Sequence, residues 1–369
     1  MVRDLTQAIP PDVVALEDYQ RLATAILPAP ALAYVDGAGA DGLTAQANLA
    51  AWQGLRLQSR LLCDMRGAHT ALQLLGLDLP HPFLLAPVAF HGLAHAEAEH
   101  ATALGAAATG SLMVVSTQSG LPLEEIAARA QGPFWFQLYI QPERADTLSL
   151  VRRAEAAGYR ALVVTVDAPV NGIRNMETRA GFTLPKGLRA INLDGLHPPR
   201  IRAEPGRAAT FLGLLDQAPR WEDIGWLKSQ TRLPLLLKGI MSAHDAGLAV
   251  EAGADGLIVS NHGGRTLDTL PATAEALPAV VREVAGRIPV LCDGGIRRGT
   301  DALKALALGA AAVLVGRPQV HALAVGGAAG VAHMLTILRA ELEVAMALTG
   351  RRRLGEIDAS VLWPADSGR

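Results

Sequence analysis

The sequence is short of several residue types whose abundance would define a class. Two cysteines in 369 residues, Cys63 and Cys292, exclude a disulfide framework and a four-thiolate zinc site, and they point to a reducing, cytoplasmic setting. Charge of one sign is also missing. With 33 Lys+Arg against 35 Asp+Glu and a net charge of -2, neither a basic nucleic-acid binder nor an anionic-membrane binder is expected. The longest apolar run, residues 305–315, is interrupted by Gly309 and falls well below the roughly 20 residues that span a bilayer. The opening Met-Val-Arg-Asp-Leu-Thr-Gln lacks the basic flank and apolar core of a secretory signal. Aromatic residues make up only 4%, so the core must be built from aliphatic side chains.

Half of the residues are hydrophobic, chiefly Ala, Leu and Val, which suits parallel strands buried on both faces between Ala-rich helices. Short apolar runs recur at 82–86, 112–116, 134–140, 161–166, 234–238, 256–260, 289–293 and 311–316. Between most of them lie helically spaced segments at 97–109, 123–130, 147–157, 243–252, 273–284 and 300–308. Eight strand-helix units predict an α/β fold of the (β/α)8 TIM-barrel kind. We expect one domain over 1–369: a helical and irregular cap over 1–80, a barrel over 81–355, and a mobile active-site loop over 177–220. That loop carries Lys186, Arg189, Arg200, Arg202, Arg207 and Arg220 but has no apolar stripe.

In such a barrel the chemistry sits where the strands end. The eight ends read Ala86-Pro87-Val88-Ala89, Ser116, Gln137 with Tyr139, Thr165 with Asp167, Lys238, Ser260-Asn261-His262, Asp293-Gly294-Gly295, and Gly316-Arg317. The last two, with Arg297 and Arg298, combine bare amides, a helix N-terminus and guanidinium groups, which suits a phosphate. Two other patterns carry less. Gly37-Ala38-Gly39-Ala40-Asp41-Gly42 matches G-x-G-x-x-G but has no βαβ unit around it, so it reads as a glycine-rich turn. His91, His95 and His100 lack a zinc-protease Glu and read as capping or surface histidines, with no metal expected.

His262 is the strongest candidate for proton transfer, with Arg265 three residues on to hold a carboxylate. Asp167 could stabilise its imidazolium, Tyr34 or Tyr139 could bond a hydroxyl, and Arg174 supplies a second anion site. Together they describe an acid substrate that loses a proton.

The segments 260–268, 237–239, 135–139, 165–167, 293–299 and 315–318 resemble the FMN-dependent L-2-hydroxy acid oxidase and dehydrogenase family, which includes glycolate oxidase, lactate oxidase and mandelate dehydrogenase. The resemblance runs from about residue 15 to 355. It implies FMN across the barrel mouth, with its phosphate on Gly295, Arg297, Gly316 and Arg317 and its ribityl chain near Asp293. The ring would contact Val88, Ala89, Ser116, Gln137, Thr165, Lys238 and Ser260, with the Lys238 ammonium favouring the reduced form. The substrate carboxylate would rest on Arg174, Arg265 and Tyr34, with Tyr139 near the hydroxyl, His262 taking a proton and Asp167 supporting it.

Residues 90–95 and 34–41 are similar to lactate oxidases, and Gln118 stands where many relatives carry an aromatic side chain. L-lactate is therefore the expected substrate and a mandelate-like acid the second. No heme domain precedes the barrel, which favours O2 as acceptor and hydrogen peroxide as product over a quinone-linked dehydrogenase. A homotetramer follows from the resemblance. A flavin-dependent isomerase or a flavin-binding protein without turnover are the rival classes, and the His262, Arg174 and Arg265 set argues against both.

Overall fold

The computed structural model describes residues 9–200, 210–211 and 215–364. Three helices come first: α1 (Leu16–Ile26), α2 (Ala29–Asp36) and α3 (Leu43–Gly54). An antiparallel hairpin follows, β1 (Leu72–Leu74) and β2 (Leu77–Leu79). It corrects the expectation of only helices and irregular chain before the barrel. Leu-Gln-Leu and Leu-Asp-Leu alternate about Leu75-Gly76, both at positive φ (47° and 76°), the backbone of a tight two-residue hairpin turn.

The barrel then alternates β3 (Phe83–Leu85), α4 (Ala98–Thr109), β4 (Met113–Ser116), α5 (Leu123–Arg129), β5 (Phe134–Leu138), α6 (Arg144–Ala156) and β6 (Leu162–Thr165). After a long excursion containing α7 (Asn175–Arg179) and α8 (Trp221–Gln230), it resumes with β7 (Leu235–Ile240), α9 (Ala243–Glu251), β8 (Gly256–Val259) and α10 (Thr273–Val284). It ends with β9 (Val290–Cys292), α11 (Gly299–Ala307), β10 (Ala312–Val315) and α12 (Arg317–Thr349). Each strand pairs in parallel with the next, and β10 pairs with β3 to close the ring. All eight predicted strands are present, trimmed or shifted at their ends. α6 begins three residues before its expected start.

Burial on both faces explains the unbroken apolar runs. Leu112, Val114, Trp135, Val163, Leu236, Ile258, Leu291 and Leu314 fill the barrel interior, while their neighbours Met113, Val115, Phe136, Val164 and Leu237 pack outward against helices. Leu74 and Leu79 of the hairpin join the interior cluster, so β1 and β2 stopper the amino end of the barrel. The length and hydropathy of α12 would suit a membrane span, but its helical dihedrals break at Gly326 and Gly327. It packs against α4, α1 and α11 as a core element.

Candidate active site

A cavity of about 1380 Å³ opens over the carboxyl ends of the barrel strands. His262 enters it from the turn after β8 with φ +58°, a left-handed conformation uncommon outside glycine that commonly marks a functional position. Its backbone N–H donates to Ser260 Oγ (3.1 Å), and its Nδ1 lies 2.9 Å from Asp167 Oδ1. With Nδ1 so engaged, Nε2 is the ring nitrogen left for a substrate. Burial alone would raise the Asp167 carboxyl, but His262, through its charge and hydrogen bond, and then Lys238 outweigh it and hold the group below the usual carboxylate range. The close approach of β7 depends on Gly239. At φ +116° a side chain there would be strained, and its Cβ would stand 2.5 Å from Asp167 Cβ.

Tyr139 lines the same wall. Burial, reinforced by Asp167 and Tyr34, pushes its hydroxyl well above the usual tyrosine range, so it remains a proton donor at neutral pH. Arg265 is fixed by four contacts with three residues. Its Nη1 donates to the carbonyls of Tyr34 and Gly37 (2.7 Å each), its Nη2 donates to Glu177 Oε1 (3.1 Å), and its guanidinium lies 5.2 Å from the Tyr34 ring centre. Arg174 Nη1 donates to the same Glu177 oxygen at 2.9 Å. Burial, then Arg174 and Arg317, push Arg265 down to about 10, still cationic at neutral pH. Tyr34 also stacks on Phe182, with centroids 4.7 Å apart.

Deeper in the cavity Lys238, 4% exposed, donates to Ser260 Oγ (2.9 Å) and pairs with Asp293 Oδ2 (3.1 Å). Burial opposes its charge, but Asp293 and Asp167 outweigh burial and hold the ammonium above the usual lysine range. Val88, Ala89, Ser116, Gln137 and Thr165 complete this floor. Ser260 departs from the expected ring contact. It is fully buried behind the lining, and its hydroxyl accepts from Lys238 and the His262 backbone, so it braces the site.

Gly295, Arg297, Gly316 and Arg317 gather at the other end of the cavity. The helix expected to supply anion-binding amides there is α11, and that expectation is corrected. The N–H groups of Arg297 and Arg298 donate to Asp301 Oδ2 (3.0 Å each), and that of Gly299 to Glu341 Oε2 (2.8 Å). The helix N-terminus that faces the cavity is that of α12, capped by Gly316.

Several buried polar atoms along this path have no protein partner: Gln137 Nε2, Asp293 Oδ1 and Arg317 Nε, with Arg174 Nε and Asp167 Oδ2 toward the dyad. Unpaired groups of this kind are rare in a finished core. In order they offer a donor at the ring floor, an acceptor midway and a cation at the far end, which is the polarity of FMN from its pyrimidine edge through ribityl hydroxyls to phosphate.

Other contributors were not apparent from sequence. Asn48 and Asn261 exchange amide hydrogen bonds at 2.9 Å, and Trp52 Nε1 donates to the Gly294 carbonyl at 2.8 Å, so α3 braces the turns after β8 and β9. The Gly37 carbonyl holds both Arg265 and Arg317 (2.7 and 2.8 Å), giving the glycine-rich turn between α2 and α3 a place in the site. Asn192 anchors the first part of the long excursion, donating to Ser119 Oγ (2.8 Å) and accepting from Leu123 N–H and Arg153 (3.0 and 3.1 Å). Arg202 and Arg207 of the expected loop lie outside the described residues. Among the three close histidines, His91 is buried, with Nδ1 2.8 Å from Thr102 Oγ1, and is neither a cap nor a surface group.

A parallel barrel that gathers cations after its last two strands and a buried lysine beneath a histidine-carboxylate dyad is the architecture of a flavin-dependent oxidoreductase. The chain belongs to the FMN-dependent dehydrogenase family, whose pattern matches residues 23–364, and FMN is its cofactor. It is 51% identical to an L-lactate oxidase of Alicycliphilus denitrificans over 97% of this chain and 98% of that one. It is 46% identical to a peroxisomal (S)-2-hydroxy-acid oxidase of Oryza sativa subsp. japonica, over 94% and 95% respectively. A solved structure of a mandelate oxidase variant with (S)-mandelic acid superimposes with a TM-score of 0.86 at 39% identity, covering 95% of this chain and 98% of that chain.

Proposed function

We propose that the protein oxidises an L-2-hydroxy acid, L-lactate first, to the 2-oxo acid, and that O2 then takes the electrons to give hydrogen peroxide. The observation that carries this reading is the convergence of the His262–Asp167 dyad and the Arg174–Arg265 pair on one cavity. Gln137, Lys238, Asp293, Arg297 and Arg317 would hold FMN, which when bound would supply an acceptor for the two electrons that leave the substrate C2. The arginines and Tyr34 hold the carboxylate, Tyr139 donates toward the substrate oxygen, and His262 Nε2 takes a proton. Asp167 keeps the imidazole oriented and offsets its charge once protonated. The L-lactate oxidases among the relatives support the choice of substrate. The unpaired cysteines support a cytoplasmic setting, and the family resemblance supports a homotetramer.

Anaerobic addition of L-lactate to the yellow protein should bleach the flavin, and admitting air should restore it with peroxide formed. Failure of L-lactate, L-mandelate and glycolate alike to bleach it would sink the proposal, whereas bleaching without recovery in air would leave a dehydrogenase with another acceptor.

A further inference from the structure

The two arginines of the substrate clamp already share a carboxylate, that of Glu177. One oxygen of this side chain accepts from Arg174 Nη1 and Arg265 Nη2 at 2.9 and 3.1 Å, and all three side chains are less than a fifth exposed. Glu177 follows Arg174 by three residues, so the first turn of α7 brings the two together. The remaining donors are unevenly spread. Arg265 Nη1 is committed to two backbone carbonyls, whereas Arg174 Nε is buried without a partner. An incoming carboxylate finds donors on both guanidinium groups, with Arg265 the more firmly held of the two.

The charges around this point balance simply. Lys238 is paired with Asp293, and Asp167 faces His262. Two guanidinium groups less one carboxylate leave a single positive charge at the clamp itself, with Arg317 next along the cavity toward the phosphate end. We propose that Glu177 sets that charge, so that the clamp is matched to 2-hydroxy acids with a single carboxylate and disfavours those with a second. Glu177 is then a positioning and specificity-determining residue. The inference rests on the proposed function, because it takes Arg174 and Arg265 to be the carboxylate site.

The test uses the FMN-loaded protein and two inert acids of matched shape, succinate and 4-methylpentanoate, in which an isopropyl group replaces the second carboxylate. Each is titrated by its perturbation of the flavin absorbance. Glu177→Gln keeps an oxygen that can accept from both arginines but removes the charge. It should shift the ratio of affinities toward succinate by about fivefold or more, the effect of removing one like charge at several ångströms in a partly screened site. Glu177→Asp, which keeps the charge, should retain the original preference. An unmoved ratio in Glu177→Gln, or a ratio moved equally by Glu177→Asp, overturns the proposal. Should Glu177→Gln fail to retain FMN, Glu177→Ser carries the same comparison. If L-lactate and the other 2-hydroxy acids fail to reduce the unaltered protein, the parent reading falls. If they reduce it and the ratio is unmoved, only the role of Glu177 falls.

Discussion

His262 carries the greatest demands of any residue in the site, since its backbone is held in an unfavourable conformation and its ring is tied to Asp167. We expect His262→Ala to retain FMN while anaerobic reduction by substrate slows by roughly 10²- to 10⁴-fold, the usual worth of a positioned general base; reduction at the unaltered rate would refute the role. Asp167 makes a separate prediction about pH. Its folded-state carboxyl is held below the ordinary value of 3.8, so the ionised, hydrogen-bonded carboxylate stabilises the fold above that value and loses its contribution as acid protonates Asp167. The stability difference between the unaltered protein and Asp167→Asn should shrink as the pH falls below about 4. Urea unfolding across that range measures it, and a difference that grew on acidification would reverse the sign of the argument. His262, Arg265 and Lys238 were legible in the sequence because each ends or follows an apolar strand. Glu177 was not, because an acid on a five-residue helix inside a long excursion has no periodic pattern around it, and its importance comes from Arg265, 88 positions away.

At the scale of elements, alternation and length revealed the barrel strands, but they could not reveal how neighbouring turns meet. The bulge at Gly239 is one such meeting: the pairing of β7 with β8 shifts register between Lys238 and Ile240, and the space beside the glycine is taken by Asp167. Gly239→Ala should destabilise the protein by about 1–3 kcal/mol, the scale of a strained backbone position, and should also slow reduction by displacing Asp167. Denaturant melting and anaerobic reduction together check this, and a variant impaired in neither would mean that the contact relaxes freely. The N-terminus of α11 shows the opposite limit of sequence reading. Glycines and arginines there suggested an anion site, yet Asp301 and Glu341 already satisfy its amides. The hairpin was missed for a third reason, because its two strands have only three residues each and a Leu-Gly turn has none of the usual Asn-Gly or Asp-Gly signature.

For the molecule as a whole, FMN would pair a line of buried polar atoms in the folded cavity that the unfolded chain does not assemble, so cofactor binding and folding are linked. Removing FMN should lower the melting temperature, and returning it at 100 times its dissociation constant should restore about 2.7 kcal/mol; a melting temperature indifferent to FMN concentration would contradict that linkage. The hairpin of β1 and β2 has a different effect. Because Leu74 and Leu79 close the barrel axis at its amino end, the cavity opens, among the described residues, at the carboxyl ends of the strands. On the proposed function, acid, keto acid and electron acceptor share that end of the barrel. An excess of acid should then slow the acceptor's approach, so that turnover at high substrate becomes a matter of queueing; initial rates at rising L-lactate and fixed O2 that never decline would contradict this.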